Sequence, residues 1–276
     1  MREFIRITDE TLHWFAPLLS EELCRRLTEQ KNLYAIGAVE DRTACGILVF
    51  RIGKPVAEIR MLAVSPEYRH RGIARGMVEY LCRHAWDTTT PVVCSFSAPD
   101  RQDPVYLFFA GLENFSVTLE DGMICKVPFS DIPRSRLAAL RNNSAQIRPF
   151  FSLPAATRRQ FFLQLERQHA LLWDNFDGQD CCQPLCLCAT NGANMQAAAF
   201  MTNDGADLDL SFVWCAAGCH RQLMALLAQI SSLLPQTGGD LRIAAVTPVS
   251  VSLVDKLLPN REVLARYYQA AWDMQL

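Results

Sequence analysis

A short run of basic and small residues, Arg69–Ala74, is the part of this sequence whose residue types and spacing point most clearly to chemistry. It follows a predicted strand, Val56–Val64, and precedes a stretch whose apolar residues have helical spacing. A strand that leads through a short loop into a helix directs unpaired backbone N–H groups and the positive end of the helix dipole at one place. Gly72 permits close backbone approach, and the two arginines supply charge-assisted bonds. The run therefore predicts a binding loop for a diphosphate.

Two other phosphate-binding patterns are absent from the sequence. No G-x-x-x-x-G-K-[ST] motif occurs, and no G-x-G-x-x-G motif follows a predicted strand. Nucleotide hydrolysis and hydride transfer to a dinucleotide therefore have little support.

The loop and its flanks resemble motif A of the GCN5-related N-acetyltransferases, the GNAT family. The motif has the pattern Q/R-x-x-G-x-G/A, and it follows a strand that ends in a V-x-P-like turn; here the turn is Val64–Pro66. The helix after the loop has apolar residues at Ala74, Met77, Val78, Leu81, Cys82 and Ala85, the stripe of a helix that lies on a sheet. The chain is similar to the tandem-domain form of this family, with a degenerate C-terminal half.

The resemblance implies that acetyl-CoA is the co-substrate. Two central strands, Glu58–Val64 and Pro91–Ser97, would splay apart and leave a gap for the pantetheine arm. Backbone groups of the first strand would pair with pantetheine, and an N–H there would hold the thioester oxygen as its negative charge grows. The residues expected to bind the cofactor are Leu62, Ala63, Val64, Arg69, His70, Arg71, Gly72, Ile73 and Ala74.

Two side chains are candidates for acid–base catalysis, and each has a plainer alternative. Glu58 lies where histone-type members of the family place a catalytic glutamate, but it could instead face solvent or form a salt bridge with Arg60. The family often protonates the leaving thiolate with a tyrosine, and Phe109 occupies that position here. Tyr106, one turn earlier, could reach the sulfur, or it could place its hydroxyl at the surface.

Cysteines between Cys181 and Cys188 form the one metal-like cluster, with Cys215, Cys219 and His220 farther on. Paired cysteines of a structural zinc site usually flank turns, whereas Cys186 and Cys188 alternate on a predicted strand. We therefore expect buried thiols and no metal.

The order of elements predicts an α/β fold: a tandem GNAT-like acyl-CoA N-acyltransferase fold in which each half is a mixed, mostly antiparallel sheet flanked by helices. Residues 1–128 are predicted to form the acetyl-CoA-binding domain, which ends in a hairpin that turns at Asp121-Gly122. Pro128–Asn143 is predicted as a linker with one helical run, Arg136–Arg141.

Residues 129–276 repeat the order of elements at an offset of about 150 residues, which indicates a duplication. The counterpart of the phosphate loop, Trp214–Arg221, lacks the leading arginine and the x-x-G-x-A spacing. We therefore expect a degenerate GNAT-like domain with a structural or acceptor-pocket role, and no CoA binding there.

Composition limits the partners and the compartment. The net charge of -2 provides no global field for nucleic acid or an anionic membrane. The N-terminus carries charges where a secretory signal needs an apolar run, and no stretch has the length of a membrane span. The eleven cysteines are expected to be reduced, so we predict a cytoplasmic protein.

Together these features predict an N-acetyltransferase that moves an acetyl group from acetyl-CoA to an amine of a small molecule. Direct attack in a ternary complex is expected, because no nucleophile–base pair is visible. Two alternatives stay open: a protein or peptide N-acetyltransferase, and a non-catalytic CoA-binding pseudoenzyme.

Overall fold

The computed structural model describes residues 2–30, 32–53, 56–84, 90–140, 146–173, 181–192 and 194–272. The chain forms two compact units, one of Met1–Glu120 with Tyr267–Leu276 and one of Asp121–Arg266. Each unit combines a mixed sheet with helices, so the predicted fold class and tandem organisation are confirmed. The division differs from the predicted one: the second unit begins before residue 128, and the end of the chain returns to the first unit.

The first unit places helices on both faces of its sheet. Its elements are β1 (Arg2–Arg6), α1 (Leu12–Phe15), α2 (Glu21–Glu29), β2 (Leu33–Glu40), β3 (Thr43–Ile52), β4 (Ala57–Val64), α3 (Ile73–His84), β5 (Val92–Ala98), α4 (Pro104–Ala110), the first part of β6 (Phe115–Pro128) and the last part of β12 (Glu262–Trp272). Strands β1 to β4 are antiparallel neighbours, and β4 pairs with β5 in parallel. The last part of β12 and the first part of β6 follow β5 in the strand order.

Helix α3 packs on one face of this sheet through the stripe that the sequence predicted. Met77, Val78 and Leu81 are buried in a core that they share with β2 to β5. A Cβ atom at Gly76 would lie 2.4 Å from the ring of Phe4, so glycine allows the helix to approach β1 this closely without a shift of that ring. Helices α1 and α2 cover the opposite face, where they pack on a second core.

The second unit repeats this plan. Its elements are the rest of β6, β7 (Gln146–Pro149), α5 (Ala155–Trp173), β8 (Leu187–Asn191), β9 (Asn194–Asp204), β10 (Asp207–Cys215), α6 (His220–Leu233), β11 (Asp240–Ala245), α7 (Pro248–Leu257) and the first part of β12. Strands β7 to β10 are antiparallel neighbours, β10 pairs with β11 in parallel, and β11 pairs with β6.

Both units share one departure from a regular sheet. The register between β3 and β4 shifts so that Arg60 is an extra residue, and the register between β9 and β10 shifts so that Ser211 is an extra residue. In each unit the bulged strand pairs in parallel with its other neighbour only before the bulge. Such a bulge bends the strand and ends its pairing. The shared bulge and split fit the predicted duplication.

The predicted hairpin at Asp121-Gly122 is wrong. Phe115–Pro128 is one 14-residue strand, β6. A hairpin requires two segments that pair with each other, but the two parts of β6 have other partners. Its second part pairs with β11, and in the first unit the hydroxyl of Thr118 donates a hydrogen bond to the carbonyl of Gln269 at 3.3 Å.

The predicted linker is also wrong over its described part. A 3₁₀ helix spans Phe129–Arg134, and the predicted helical run is a turn up to residue 139; residue 141 lies outside the described residues. Phe129, Ile132 and Leu137 are buried in the core of the second unit. Apolar residues at irregular spacing anchor this segment, and a search for periodic patterns misses such spacing.

Among the described residues, no helix is long and apolar enough to cross a membrane.

Candidate active site

The loop between β4 and α3 turns the chain through two residues with left-handed backbone conformation. After a 3₁₀ helix at Pro66–Tyr68, His70 has φ of 60° and Gly72 has φ of 75°. Pro66 favours the first turn, since its fixed φ suits the start of a helix. Gly72 takes its conformation at little cost because it has no Cβ atom. Helix α3 then begins at Ile73, so the loop delivers the chain directly into the first helical turn.

The last part of this loop and the start of α3 carry unpaired backbone N–H groups. Within the described residues, the N–H groups of residues 70 to 75 donate no hydrogen bond to the protein; the first helical bond is donated by Gly76 to the carbonyl of Gly72 at 2.9 Å. Gly72 is exposed, and no atom lies within 4 Å of the place where a Cβ atom would be. Loop and helix start are therefore open to solvent, as an anion site at a helix N-terminus requires.

The two arginines of the loop are held beside it. The Arg69 Nε donates to the carbonyl of Val64 at 3.2 Å. The Arg71 guanidinium lies 5.2 Å from the centre of the Tyr68 ring and 3.5 Å from the Glu40 carboxylate. Both charges thus lie near the open N–H groups, which suits the charge of a diphosphate.

Strands β4 and β5 separate just after the residue that was predicted as the catalytic base. Their parallel pairing consists of Ala57 with Val92 and Glu58 with Val93. The bulge at Arg60 follows, and β4 has no β5 partner from there to its end within the described residues. Backbone groups of Leu62, Ala63 and Val64 that point towards β5 therefore have no partner in that strand, and the Val64 carbonyl accepts from Arg69 instead. This opening occurs where the family resemblance implied a gap between splayed strands.

Glu58 lies between two arginines. Its Oε1 accepts a hydrogen bond from Arg60 Nη1 at 2.9 Å, and its Oε2 from Arg51 Nη2 at 3.4 Å, while 15% of its side chain is exposed. The salt bridge with Arg60 is the plainer of the two sequence interpretations, and the one with Arg51 was not predicted. Arg51 is directly opposite Glu58 in the β3–β4 register. The two cations compensate the charge of a carboxylate that is largely removed from solvent.

Helix α4 presents Tyr106 and Phe109 in an aromatic cluster. Phe109 is buried and stacks on Phe96 at 5.0 Å between ring centres. Phe96 in turn stacks on Tyr268 at 5.8 Å, and the Tyr268 ring meets the Tyr106 ring edge-on at 5.0 Å. Phe109 carries no exchangeable proton, so Tyr106 is the candidate acid in α4. Tyr268, from the end of the chain, was missed because no strand was predicted after residue 246.

The thiol of Cys94 lies on β5 close to Glu58 but is poorly suited to act as a nucleophile. Burial, and to a smaller extent the negative charge of Glu58, raises its pKa to about 12, against a smaller opposing effect of Arg60. The thiolate is the reactive form of cysteine. This thiol therefore stays protonated at neutral pH, which argues against an acyl-enzyme at this position.

Two histidines and two cysteines are further residue types that could carry chemistry. His13 contacts the ring of Trp14, and His84 has a side chain that lies outside the described residues. Cys186 and Cys188 are buried, and their thiols donate to the carbonyls of Met201 and Arg148. No group of three metal-binding side chains occurs in the described part of the chain.

The second unit has a reduced version of the same loop. Gly218 has φ of 78° with no atom within 4 Å of the place where a Cβ atom would be, and α6 begins at His220. Between β10 and this glycine the chain has neither a 3₁₀ helix nor an arginine.

The second unit also has a carboxylate at the position that corresponds to Glu58. Asp209 lies two residues before the bulge at Ser211, as Glu58 lies two residues before Arg60. Burial raises the pKa of the Asp209 carboxyl above its usual value, and the nearby Arg242 offsets this only in part.

A family model matches the first unit. Residues 3–96 match the model described as the acetyltransferase (GNAT) family. The matched range runs from within β1 to within β5 and contains the loop before α3. No curated protein matches the sequence significantly.

Solved structures resemble the whole chain in fold. A conserved protein of unknown function from Enterococcus faecalis V583, described as a probable N-acyltransferase, has a TM-score of 0.63 and 13% identity, over 98% of this chain and 72% of that chain. A GCN5-related N-acetyltransferase from Kribbella flavida has a TM-score of 0.59 and 13% identity, over 98% and 70%. A tandem GNAT protein from the clavulanic acid biosynthesis pathway has a TM-score of 0.57 and 15% identity, over 100% of both chains.

Proposed function

We propose that this protein transfers an acetyl group from acetyl-CoA to an amine of a small molecule, since residues 3–96 match the GNAT family model and the whole chain has the tandem GNAT fold. The family match supports acyl transfer in general. The choice of acetyl-CoA, of a small acceptor and of the first unit as the working site belongs to the proposal.

One observation carries the proposal: the open N–H groups of residues 70 to 75 at the start of α3, next to Arg69 and Arg71. Anions bind such helix starts because the N–H groups lack intrahelical acceptors and the helix dipole adds positive potential. The opening between β4 and β5 extends from the bulge at Arg60 to the end of β4, where the chain enters this loop. A ligand with a diphosphate and a long, narrow arm fits both features.

Acetyl-CoA supplies a thioester, whose carbonyl is open to attack by a neutral amine. The protein must hold that carbonyl, accept the proton of the amine and return a proton to the thiolate. We assign the first task to backbone N–H groups of Leu62–Val64, the second to Glu58 and the third to Tyr106. The lone pairs of Glu58 that do not face Arg51 and Arg60 are available for the proton, directly or through a water.

A cavity in the first unit supports a small acceptor. It has a volume of about 360 Å³, within the usual range for small-molecule sites. Apolar residues of its wall, including Leu27 and Leu33, belong to the core under α1 and α2. Glu58 points to that face of the sheet, because its neighbours Ala57 and Ile59 are buried in the core on the other face.

One rival function has specific support. The absence of a proton donor at Phe109, together with the engagement of both Glu58 oxygens, favours a unit that binds CoA without turning it over. This pseudoenzyme would keep the diphosphate loop, because binding depends on backbone groups rather than on Glu58 or Tyr106.

An assay of the purified protein with acetyl-CoA and a panel of small amines, diamines and peptides distinguishes the possibilities. Mass spectrometry detects both the acetylated product and released CoA. We expect turnover of at least one small amine above the rate of acetyl-CoA hydrolysis. Acetylation of peptides alone would replace the proposed acceptor, binding without release of CoA would favour the pseudoenzyme, and failure to bind CoA would reject the proposal.

A further inference from the structure

The side chain of Arg2 joins the first strand to the diphosphate loop. Its Nη1 donates a hydrogen bond to the backbone carbonyl of Arg71 at 2.9 Å. Its Nε and Nη2 donate to the Glu40 carboxylate at 3.2 and 3.0 Å. Arg2 and Glu40 are directly opposite each other in the β1–β2 register. Two hydrogen bonds to the neighbouring strand therefore fix the guanidinium, and its third nitrogen, Nη1, binds the loop.

The carbonyl that Arg2 holds belongs to the peptide group between Arg71 and Gly72. In a trans peptide group the C=O and N–H bonds lie in one plane and point in opposite directions. A bond that fixes the direction of the Arg71 carbonyl therefore also fixes the direction of the Gly72 N–H. That N–H is one of the unpaired donors of the loop. Without such a bond, the backbone of Gly72 could adopt many conformations, because glycine has no Cβ atom.

The charges around Arg2 favour this arrangement. Glu40 lies between Arg2 and Arg71, at 3.0 Å from an Arg2 nitrogen and 3.5 Å from an Arg71 nitrogen. The carboxylate is thus balanced by two cations and presents little net negative charge to an approaching anion. Side chains of Arg2 and Glu40 are 31% and 21% exposed, so the bonds are only partly screened by solvent.

We propose that Arg2 is a positioning residue for the diphosphate loop: it orients the Gly72 N–H toward the anion and does not touch the acetyl group or the amine. This inference rests on the proposed function, because it assumes that the loop binds the diphosphate of CoA. It reaches beyond the catalytic and cofactor residues proposed above, since Arg2 lies on the first strand, far in sequence from the loop.

The test compares ligands that differ in the diphosphate. Wild type, Arg2→Met and Arg6→Met are titrated with CoA by calorimetry and with pantetheine, which lacks the diphosphate and nucleotide, by NMR. A third titration with 3′-dephospho-CoA, which keeps the diphosphate, separates the loop from any contact with the 3′-phosphate. Arg6→Met is the matched control, because Arg6 lies on the same strand and packs on the Tyr34 ring instead of the loop.

We expect Arg2→Met to weaken binding of CoA and of 3′-dephospho-CoA about tenfold, the scale of one lost hydrogen bond, and to leave pantetheine binding unchanged. Arg6→Met should bind all three ligands as the wild type does. Equal weakening for pantetheine, weakening for CoA alone, or no change for CoA would overturn the role of Arg2. Failure of the wild type to bind CoA would instead reject the proposed function.

Discussion

At the scale of single residues, Glu58 illustrates what one sequence can predict about a site. From the sequence, Glu58 was interpreted either as a catalytic base or as the partner of Arg60 in a salt bridge. The structure contains this salt bridge and a second one between Glu58 and Arg51. Two residues apart on a strand, Glu58 and Arg60 are neighbours by local geometry, so their contact was predictable. The contact with Arg51 depends on the register of two strands, which a pattern within one segment does not contain.

We predict that Glu58→Gln lowers kcat by about 100-fold and flattens its dependence on pH, because the amide cannot accept the amine proton. Affinity for CoA should stay within about twofold, since Glu58 lies outside the diphosphate loop. Measurements are pH–rate profiles with an acceptor from the amine panel, and calorimetry with CoA. Glu79→Gln is the control, because Glu79 forms an exposed pair with Arg83 on α3. A Glu58→Gln profile that matches the wild type would remove Glu58 from its proposed role.

At the scale of elements, the sequence predicted best the helices and strands that have a periodic apolar pattern and whose ends are marked by nearby residues. Helix α3 lies where its apolar stripe indicated. The errors concern β6 and β12. Both strands have parts in each unit, and their partners are remote in sequence. Aspartate followed by glycine is a common turn signal, but pairing with β11 and β12 overrides it in β6.

Strand β12 supplies Tyr268 to the first unit, and we predict that this residue stabilises it. Tyr268→Ala removes a ring that is only 6% exposed and that packs on Phe96 and Tyr106, so it should lower the free energy of unfolding by about 3 kcal/mol. Urea unfolding of the full chain measures the change. Gln269→Ala, at the next position of the same strand, should cost less than about 1 kcal/mol. Equal losses for the two variants would contradict the packing role of Tyr268.

At the scale of the whole molecule, two units with the same strand split and the same bulge differ in their loops. The first has a 3₁₀ helix, Arg69 and Arg71 around Gly72, and the second has neither arginines nor a 3₁₀ helix between β10 and Gly218. The duplication was readable from the order of elements in the sequence. The shared bulge was not, because one extra residue in a strand leaves hardly any pattern in a single sequence.

The most direct test of the account compares the two glycines. Both have positive φ and no atom within 4 Å of a Cβ position, so glutamate at either one has the same backbone strain and the same new charge. Calorimetry with CoA is expected to give no detectable binding for Gly72→Glu, because a carboxylate then faces the diphosphate, and wild-type affinity for Gly218→Glu. Unchanged CoA affinity in Gly72→Glu would contradict the central claim that the loop before α3 binds the diphosphate.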